Sequence, residues 1–293
     1  MKIVFVIPFL LIGFTISIYS QTQYTERVLT RFIENNKPVS LEMVVFKPDD
    51  VGKGPFPTLI YNHGSTGRGD NPILFKITKV NQSIAYFFNR LGWLVVFPQR
   101  RGRGQSDGIY DEGFNKDRSG YSHSPKISLL GLERALDDID EVVKYLKINP
   151  LVESDKMLIG GESRGGLLSI VYAGTRPDVF IGAINFVGGW IAEDPKSWFL
   201  RLFYNYSKEV NTESFKRGAT FARPTIWLYG ENDRFYSIEH AESNFKAFIS
   251  AGGIGTFHRY NLGKGIEGHF LPGYANLWWD DLEEYINKLE ISY

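Results

Sequence analysis

Runs of β-forming apolar residues alternate with helical runs along almost the whole chain, and this alternation constrains the fold more than any other feature. "PTLIYNHG", "WLVVFP", "DKMLIGG", "FIGAINFVGG", "RPTIWLYGEND" and "GTFHRYNLG" read as strands. Between or after them, "QSIAYFFNRLG", "SLLGLERALDDIDEVVKYLK", "RGGLLSIVYAGTR", "SIEHAESNFKAFISAGG" and "ANLWWDDLEEYINKLE" read as helices. In the second of these, Leu129, Leu132, Leu136, Ile139, Val143 and Leu146 recur at steps of three and four, the spacing of one face of an amphipathic helix. Short apolar strands that alternate with helices imply βαβ units and an α/β fold with a mostly parallel sheet. Upstream, "VSLEMVVFKP" reads as an edge strand ended by Pro48, and residues 21–36 as a short helix or irregular arm. No repeat or linker divides the rest, so residues 37–293 are expected to form one domain. The least patterned stretches, 105–125 and 188–222, follow strand ends, where open α/β sheets build their sites.

The first 20 residues differ from the rest. Met1 and Lys2 precede an apolar run that closes on Ser20, the pattern of a secretory signal peptide cleaved near Ser20–Gln21. A retained membrane anchor is the alternative, which Pro8, Gly13, Thr15 and Ser17 weaken as a stable span. On this reading the mature protein is secreted or periplasmic and keeps no stable membrane span. The chain has no cysteine, which excludes disulfides, a thiol nucleophile and a zinc–thiolate site. Lys+Arg and Asp+Glu are both 33, and without a basic run there is no reason to expect a nucleic-acid partner.

The chemistry concentrates in "GGESRGG". Gly161, Ser163 and Gly165 form G-x-S-x-G between an expected strand and an expected helix, the context in which this motif presents a serine nucleophile on a sharp turn. The flanking glycines avoid collisions between strand and helix. The helix that follows points its first amides at developing negative charge. The competing reading is a glycine-rich turn with a helix-capping serine.

A serine nucleophile requires a base, and the base an orienting acid, here in the chain order serine, acid, histidine. His269 lies in the glycine-rich "GKGIEGHFLPG" between the last strand and last helix, and is preferred to His258 inside that strand. His240 is expected on a helix surface. For the acid, Asp233 follows the strand "TIWLYG"; it could instead cap the next helix. Glu231 is the next candidate, and Glu193 and Asp194 are more remote ones. The oxyanion would be met by the amide of Arg164 and by that of Ser65, in the loop "NHGSTG", where Gly64 permits close approach. His63 is expected to brace that loop.

Taken together, "NHGSTG", "RRGRGQSDG", "GGESRGG", "YGENDRFYS" and "EGHF" resemble the α/β-hydrolase superfamily. Within it they are most similar to the dienelactone hydrolase-like and prolyl-oligopeptidase-type serine hydrolases. The resemblance runs from about Val39 to the C-terminus. It implies an α/β-hydrolase fold with helices on both faces of the central sheet. It also implies Ser163 as nucleophile, Asp233 as acid, His269 as base, oxyanion amides at Ser65 and Arg164, and no metal or organic cofactor. Three departures shape the expectation. Dienelactone hydrolases proper use a cysteine nucleophile. Prolyl-oligopeptidase-type enzymes usually carry an aromatic residue where Arg164 stands, and usually a β-propeller for which these 293 residues leave no room. A stand-alone carboxylic esterase acting on a small-molecule ester or acyl substrate fits best. A peptidase or thioesterase with the same triad is the alternative, followed by a non-catalytic binding module.

Arg100, Arg101, Arg103 and Arg164 raise the question of an acidic substrate. The favoured expectation pairs the first three with Asp107 and nearby acids and leaves Arg164 toward solvent. Tyr86-Phe87-Phe88 and Trp278-Trp279 are expected to face the core. Trp190, Trp198, Phe199, Phe203 and Tyr204 are candidates for an acyl pocket. For direct contact with substrate, the named residues are Trp190 and Arg101.

Overall fold

The computed structural model describes residues 21–48, 52–193 and 206–291. The leader, Asp194, Trp198, Phe199, Phe203 and Tyr204 lie outside the described residues. The apolar runs form one eight-stranded sheet: β1 (Gln21–Glu34), β2 (Lys37–Pro48), β3 (Phe56–Asn62), β4 (Leu94–Pro98), β5 (Val152–Glu162), β6 (Gly182–Phe186), β7 (Thr225–Gly230) and β8 (Gly255–Tyr260). Their order is β1-β2-β4-β3-β5-β6-β7-β8. β1 and β2 are antiparallel, β2 joins β4 antiparallel, and every pairing from β4 through β8 is parallel. Chain order reverses around β3, so the carboxyl ends of β3 and β5 flank the crevice of a doubly wound sheet.

The helices are α1 (Gln82–Arg90), α2 (Pro125–Lys147), α3 (Arg164–Thr175), α4 (Tyr206–Gly218), α5 (Ile238–Ser250) and α6 (Ala275–Ile291). They fall into two groups. α1 packs on α6 through Phe87 against Trp278 and Trp279, which explains the aromatic runs in both segments. The other group is tied together by polar bonds between neighbours. Tyr172 of α3 donates to Asp140 of α2, Arg217 of α4 pairs with Glu133 of α2, and Thr212 of α4 donates to Asn244 of α5. The central strands β3, β4, β6 and β7 are buried on both faces and share a core with these helices, as parallel sheets require. No helix of the described residues is long and apolar enough to cross a membrane.

Two expectations fail at the start of the chain. Residues 21–34 are neither helix nor arm but the edge strand β1, and β2 is therefore covered on its outer side. The reason is a mixed inward face. Beside Tyr24, Val28 and Phe32, which pack on the core, the inward positions of β1 carry Glu26 and Glu34, held by Tyr145 and Arg134. Leu29 and Ile33 point outward and are 81% and 71% exposed. A third difference lies in 188–222, where residues 206–218 form α4.

Candidate active site

β5 runs straight into α3 with one residue between them. That residue, Ser163, has φ 55° and ψ −124°, a conformation that strains any residue with a side chain. The surroundings impose it. A Cβ on Gly161 would stand 2.5 Å from the backbone of Gly165, and one on Gly165 would stand 2.0 Å from the carbonyl oxygen of Asn62. The turn is held by the Ser163 amide donating to Phe186 O at 2.9 Å and by the amides of Gly166 and Gly189 donating to Ser163 O at 3.0 and 3.2 Å. The Ser163 side chain makes no capping bond to α3, so the capping reading has no support in the geometry.

Asp233 follows β7, and His269 opens a short 3₁₀ helix, Gly268–Gly273. Nδ1 of His269 lies 2.7 Å from Oδ2 of Asp233. The other carboxylate oxygen accepts the amides of Phe235 at 2.7 Å and Tyr236 at 3.1 Å. Asp233 therefore has no freedom to turn, and its side chain is wholly buried. The rings of Phe235 and Tyr236 flank the imidazole at centroid distances of 4.7 and 5.7 Å. Capping of α5 falls to Ser237 instead, which accepts the amide of His240. Glu231 is bound to Arg259 and Asn261. His258, within β8, pairs with Asp281 of α6. His240 is not on a helix surface: its side chain is 8% exposed and bonds Asn211.

The loop after β3 passes beside the serine, where a Cβ on Gly64 would stand 3.0 Å from Cβ of Ser163. Among the described residues, neither the Ser65 amide nor the Arg164 amide has a hydrogen-bond partner, as expected of the first turn of a helix for the latter. His63 locks the loop. Its Nδ1 lies 2.7 Å from Gly64 O, and its Nε2 accepts the Arg100 amide at 3.3 Å, which puts the ring proton on Nδ1. Burial, then the charges of Arg100 and Arg103, hold its pKa well below the ordinary histidine value, so this ring is neutral.

The arginines are arranged differently from expectation. Asp107 takes Ser40 and Arg27. Arg101 is engaged by Asp138 at 2.5 Å and Glu34 at 3.3 Å, and it does not line the cavity. Arg100 donates from Nε to Glu112 at 2.6 Å and from Nη1 to the carbonyl of His63 at 2.9 Å. Arg164 is buried, not solvent-facing: it is 3% exposed. Its Nε donates to Trp190 O at 3.0 Å and its Nη1 to Glu112 Oε2 at 3.2 Å. The guanidinium lies between the rings of Tyr121 and Trp190, 3.7 and 4.4 Å from their centroids. Charge pairing wins over solvation here because Glu112 offers both arginines a carboxylate oxygen.

Ser65, Ser163, Arg164, Trp190 and His269 all border one cavity of 1410 Å³. A sequence model of the prolyl oligopeptidase family matches residues 79–261, more than half of the chain. The chain belongs to the prolyl oligopeptidase family. It is thus a serine hydrolase of the α/β-hydrolase fold. The matched span holds Ser163 and Asp233, while the loop after β3 and His269 fall outside it and rest on geometry alone.

Solved structures agree on the fold. A protein described as a dienelactone hydrolase from Klebsiella pneumoniae superposes with TM-score 0.52 at 18% identity, over 86% of this chain and 90% of its own. Est1E from Butyrivibrio proteoclasticus, with ferulic acid bound, gives TM-score 0.59 at 16% identity over 88% and 97%. An acylaminoacyl peptidase in complex with a peptidyl chloromethyl ketone gives 0.60 at 14% identity, over 91% of this chain but 41% of that one. No curated protein matches the chain significantly.

Several residues of this family member's site escape sequence reasoning. Glu112 lies in the poorly patterned stretch 105–125, and only the fold brings it to Arg100 and Arg164. Tyr236 directs its hydroxyl at the Ser163 side chain, and burial raises its pKa. Glu162, inside the serine motif itself, borders the cavity. Its carboxyl is raised by burial against the bonds it receives from Asn81 and Tyr61.

Proposed function

We propose that this protein is a carboxylic ester hydrolase working through Ser163, His269 and Asp233. The observation that carries the reading is the 2.7 Å bond between His269 and a doubly anchored Asp233, on the same cavity as a serine held in a strained turn. Asp233 fixes the proton on Nδ1 of the imidazole and leaves Nε2 as base. Nε2 removes the Ser163 proton as Oγ attacks the ester carbonyl. The tetrahedral oxyanion is met by the amides of Ser65 and Arg164. The imidazolium then returns its proton to the departing alcohol, and water repeats the sequence on the acyl-enzyme to release the acid.

Ester rather than peptide substrate is favoured by the full-length alignment with Est1E, which covers 97% of that protein, against 41% of the acylaminoacyl peptidase. Est1E holds ferulic acid, a carboxylic acid of the kind that ester hydrolysis releases. The family to which this chain belongs keeps a peptidase as the second reading. A fluorophosphonate probe should label wild-type protein and not Ser163→Ala, and only the wild type should turn over para-nitrophenyl acyl esters. Faster cleavage of aminoacyl anilides than of the matched esters would move the assignment to peptidase.

We further propose export after removal of residues 1–20. Protein recovered outside the cytoplasm should begin at Gln21, and an intact Met1 there would refute the cleavage.

A further inference from the structure

We propose that the cavity takes an ester carrying a second, ionised carboxylate, and that the guanidinium of Arg164 receives that carboxylate. The inference rests on Ser163 as the nucleophile and names the substrate class it acts on. Arg164 is the residue after the nucleophile, and its plane is clamped by Tyr121 and Trp190. Two of its three nitrogens are spent on Trp190 O and Glu112. Among the described residues Nη2 has no hydrogen-bond partner, and the residue borders the cavity. A planar, pre-oriented fork with an open donor is suited to a carboxylate in a way that a flexible lysine is not.

Charge points the same way. Among the described residues, Glu112 is the one carboxylate that meets Arg100 and Arg164, and Arg103 stands within electrostatic reach of it. All three guanidinium nitrogens of Arg103 are buried and without a hydrogen-bond partner among the described residues. These three cations therefore share Glu112 in a buried cluster, with the buried carboxylate of Glu42 set against Gly104 beside them, and buried charge is costly unless enough opposite charge meets it. The acids on the cavity wall, Asp70, Glu162 and Glu193, make no ion pair with these arginines among the described residues. Glu193 accepts the amide of Ser237, and Glu162 is bonded to Asn81 and Tyr61.

Matched substrate pairs test this. One pair is para-nitrophenyl hemiglutarate against its methyl ester, which places the carboxylate on the acyl side. The other is the butyrate ester of para-hydroxybenzoate against the same ester of methyl para-hydroxybenzoate, which places it on the alcohol side. Wild-type protein should favour the acidic member of at least one pair by about tenfold or more in kcat/KM, equivalent to about 1.4 kcal/mol. The preference should vanish in Arg164→Met and survive in part in Arg164→Lys. Free glutarate should inhibit competitively while dimethyl glutarate does not, a comparison that needs no variant to fold. Equal kcat/KM within both pairs and no inhibition, in protein whose Ser163 takes a fluorophosphonate label, would overturn the inference and leave the hydrolase intact. A preference that persists in folded Arg164→Met would remove Arg164 from the role. Absence of both labelling and turnover would remove the underlying reading as well.

Discussion

Glu112 and Arg164, the residue after Ser163, meet at 3.2 Å, and the other carboxylate oxygen of Glu112 takes Arg100 at 2.6 Å. Since Arg100 also donates to the carbonyls of His63 and Gly64, one buried glutamate couples the loop after β3 to the residue after Ser163. Burial alone would raise this carboxyl, but the charges of Arg100 and Arg164 outweigh it and lower its pKa. Removing the charge leaves two buried guanidinium groups without it. Glu112→Gln should lose about 3 kcal/mol or more of stability, the usual result of breaking one side of a buried pair, measured by urea unfolding. The depressed pKa adds a sign: the pair's contribution is present above the ordinary glutamate pKa and fades as pH falls below it. The gap between wild type and Glu112→Gln should narrow on acidification. A gap that is flat with pH would mean that the carboxylate charge is not what matters.

The turn at Ser163 makes a steric prediction. Gly165→Ala puts a Cβ 2.0 Å from Asn62 O, whereas a Cβ on Gly273 meets nothing within 4 Å. Backbone atoms on both sides cannot yield as a flexible side chain would. Gly165→Ala should fail to accumulate as folded protein or lose about 3 kcal/mol or more, as overpacking at its upper end does. Gly273→Ala should stay within about 0.5 kcal/mol of wild type. Comparison of the two melting temperatures checks this, and similar values would show that the turn is less tightly constrained than its contacts indicate.

Away from the site, Asp140 joins α2 to α3. It lies 2.8 Å from Lys144, 2.8 Å from Arg176 and 3.0 Å from the Tyr172 hydroxyl. Burial pushes its pKa up, but the bonds from Lys144, Arg176 and Tyr172 prevail and hold it well below the aspartate range. A depressed carboxylate contributes stability above its unfolded pKa and loses it as pH falls toward the folded one. Asp140→Asn should therefore melt lower than wild type at neutral pH, with the difference shrinking as the buffer drops below the ordinary aspartate pKa. A difference that grows in acid would contradict the sign.

How much of this was legible in the sequence depends on whether the signal is local. The parallel strands, their helices and the serine turn were readable because each is a short apolar or glycine pattern with a single physical meaning. Asp233 and His269 were readable because each stands just past a recognisable strand. β1 was not, since its inward face mixes Glu26 and Glu34 with Tyr24, Val28 and Phe32 while its outward face carries Leu29 and Ile33, which blurs the usual alternation. Neither was the true partner of each arginine. Arg100, Arg101 and Arg103 are three neighbours in sequence with three different fates, decided by Glu112, by Asp138 and, for Arg103, by the lack of any hydrogen-bond partner among the described residues. Such pairing is set by tertiary approach, and proximity to Asp107 in the chain carried no information about it.

The sharpest separation of roles concerns the acid. Both oxygens of Asp233 are occupied, one by His269 and one by two backbone amides. An asparagine could keep the amide contacts, but its NH2 would then face Nδ1 of His269. That arrangement favours the tautomer with the proton on Nε2, the nitrogen that must act as base. Asp233→Asn should therefore keep the fold but react only weakly with a fluorophosphonate, with kcat reduced by about 10³–10⁴-fold. Glu231→Gln loses only its charge toward Arg259 on a partly exposed surface, and surface pairs of this kind contribute about 0–1 kcal/mol. Its kcat should match wild type. Steady-state rates on one para-nitrophenyl ester, with circular dichroism to verify folding, decide between them: a large loss in Glu231→Gln and none in Asp233→Asn would transfer the role of acid to Glu231.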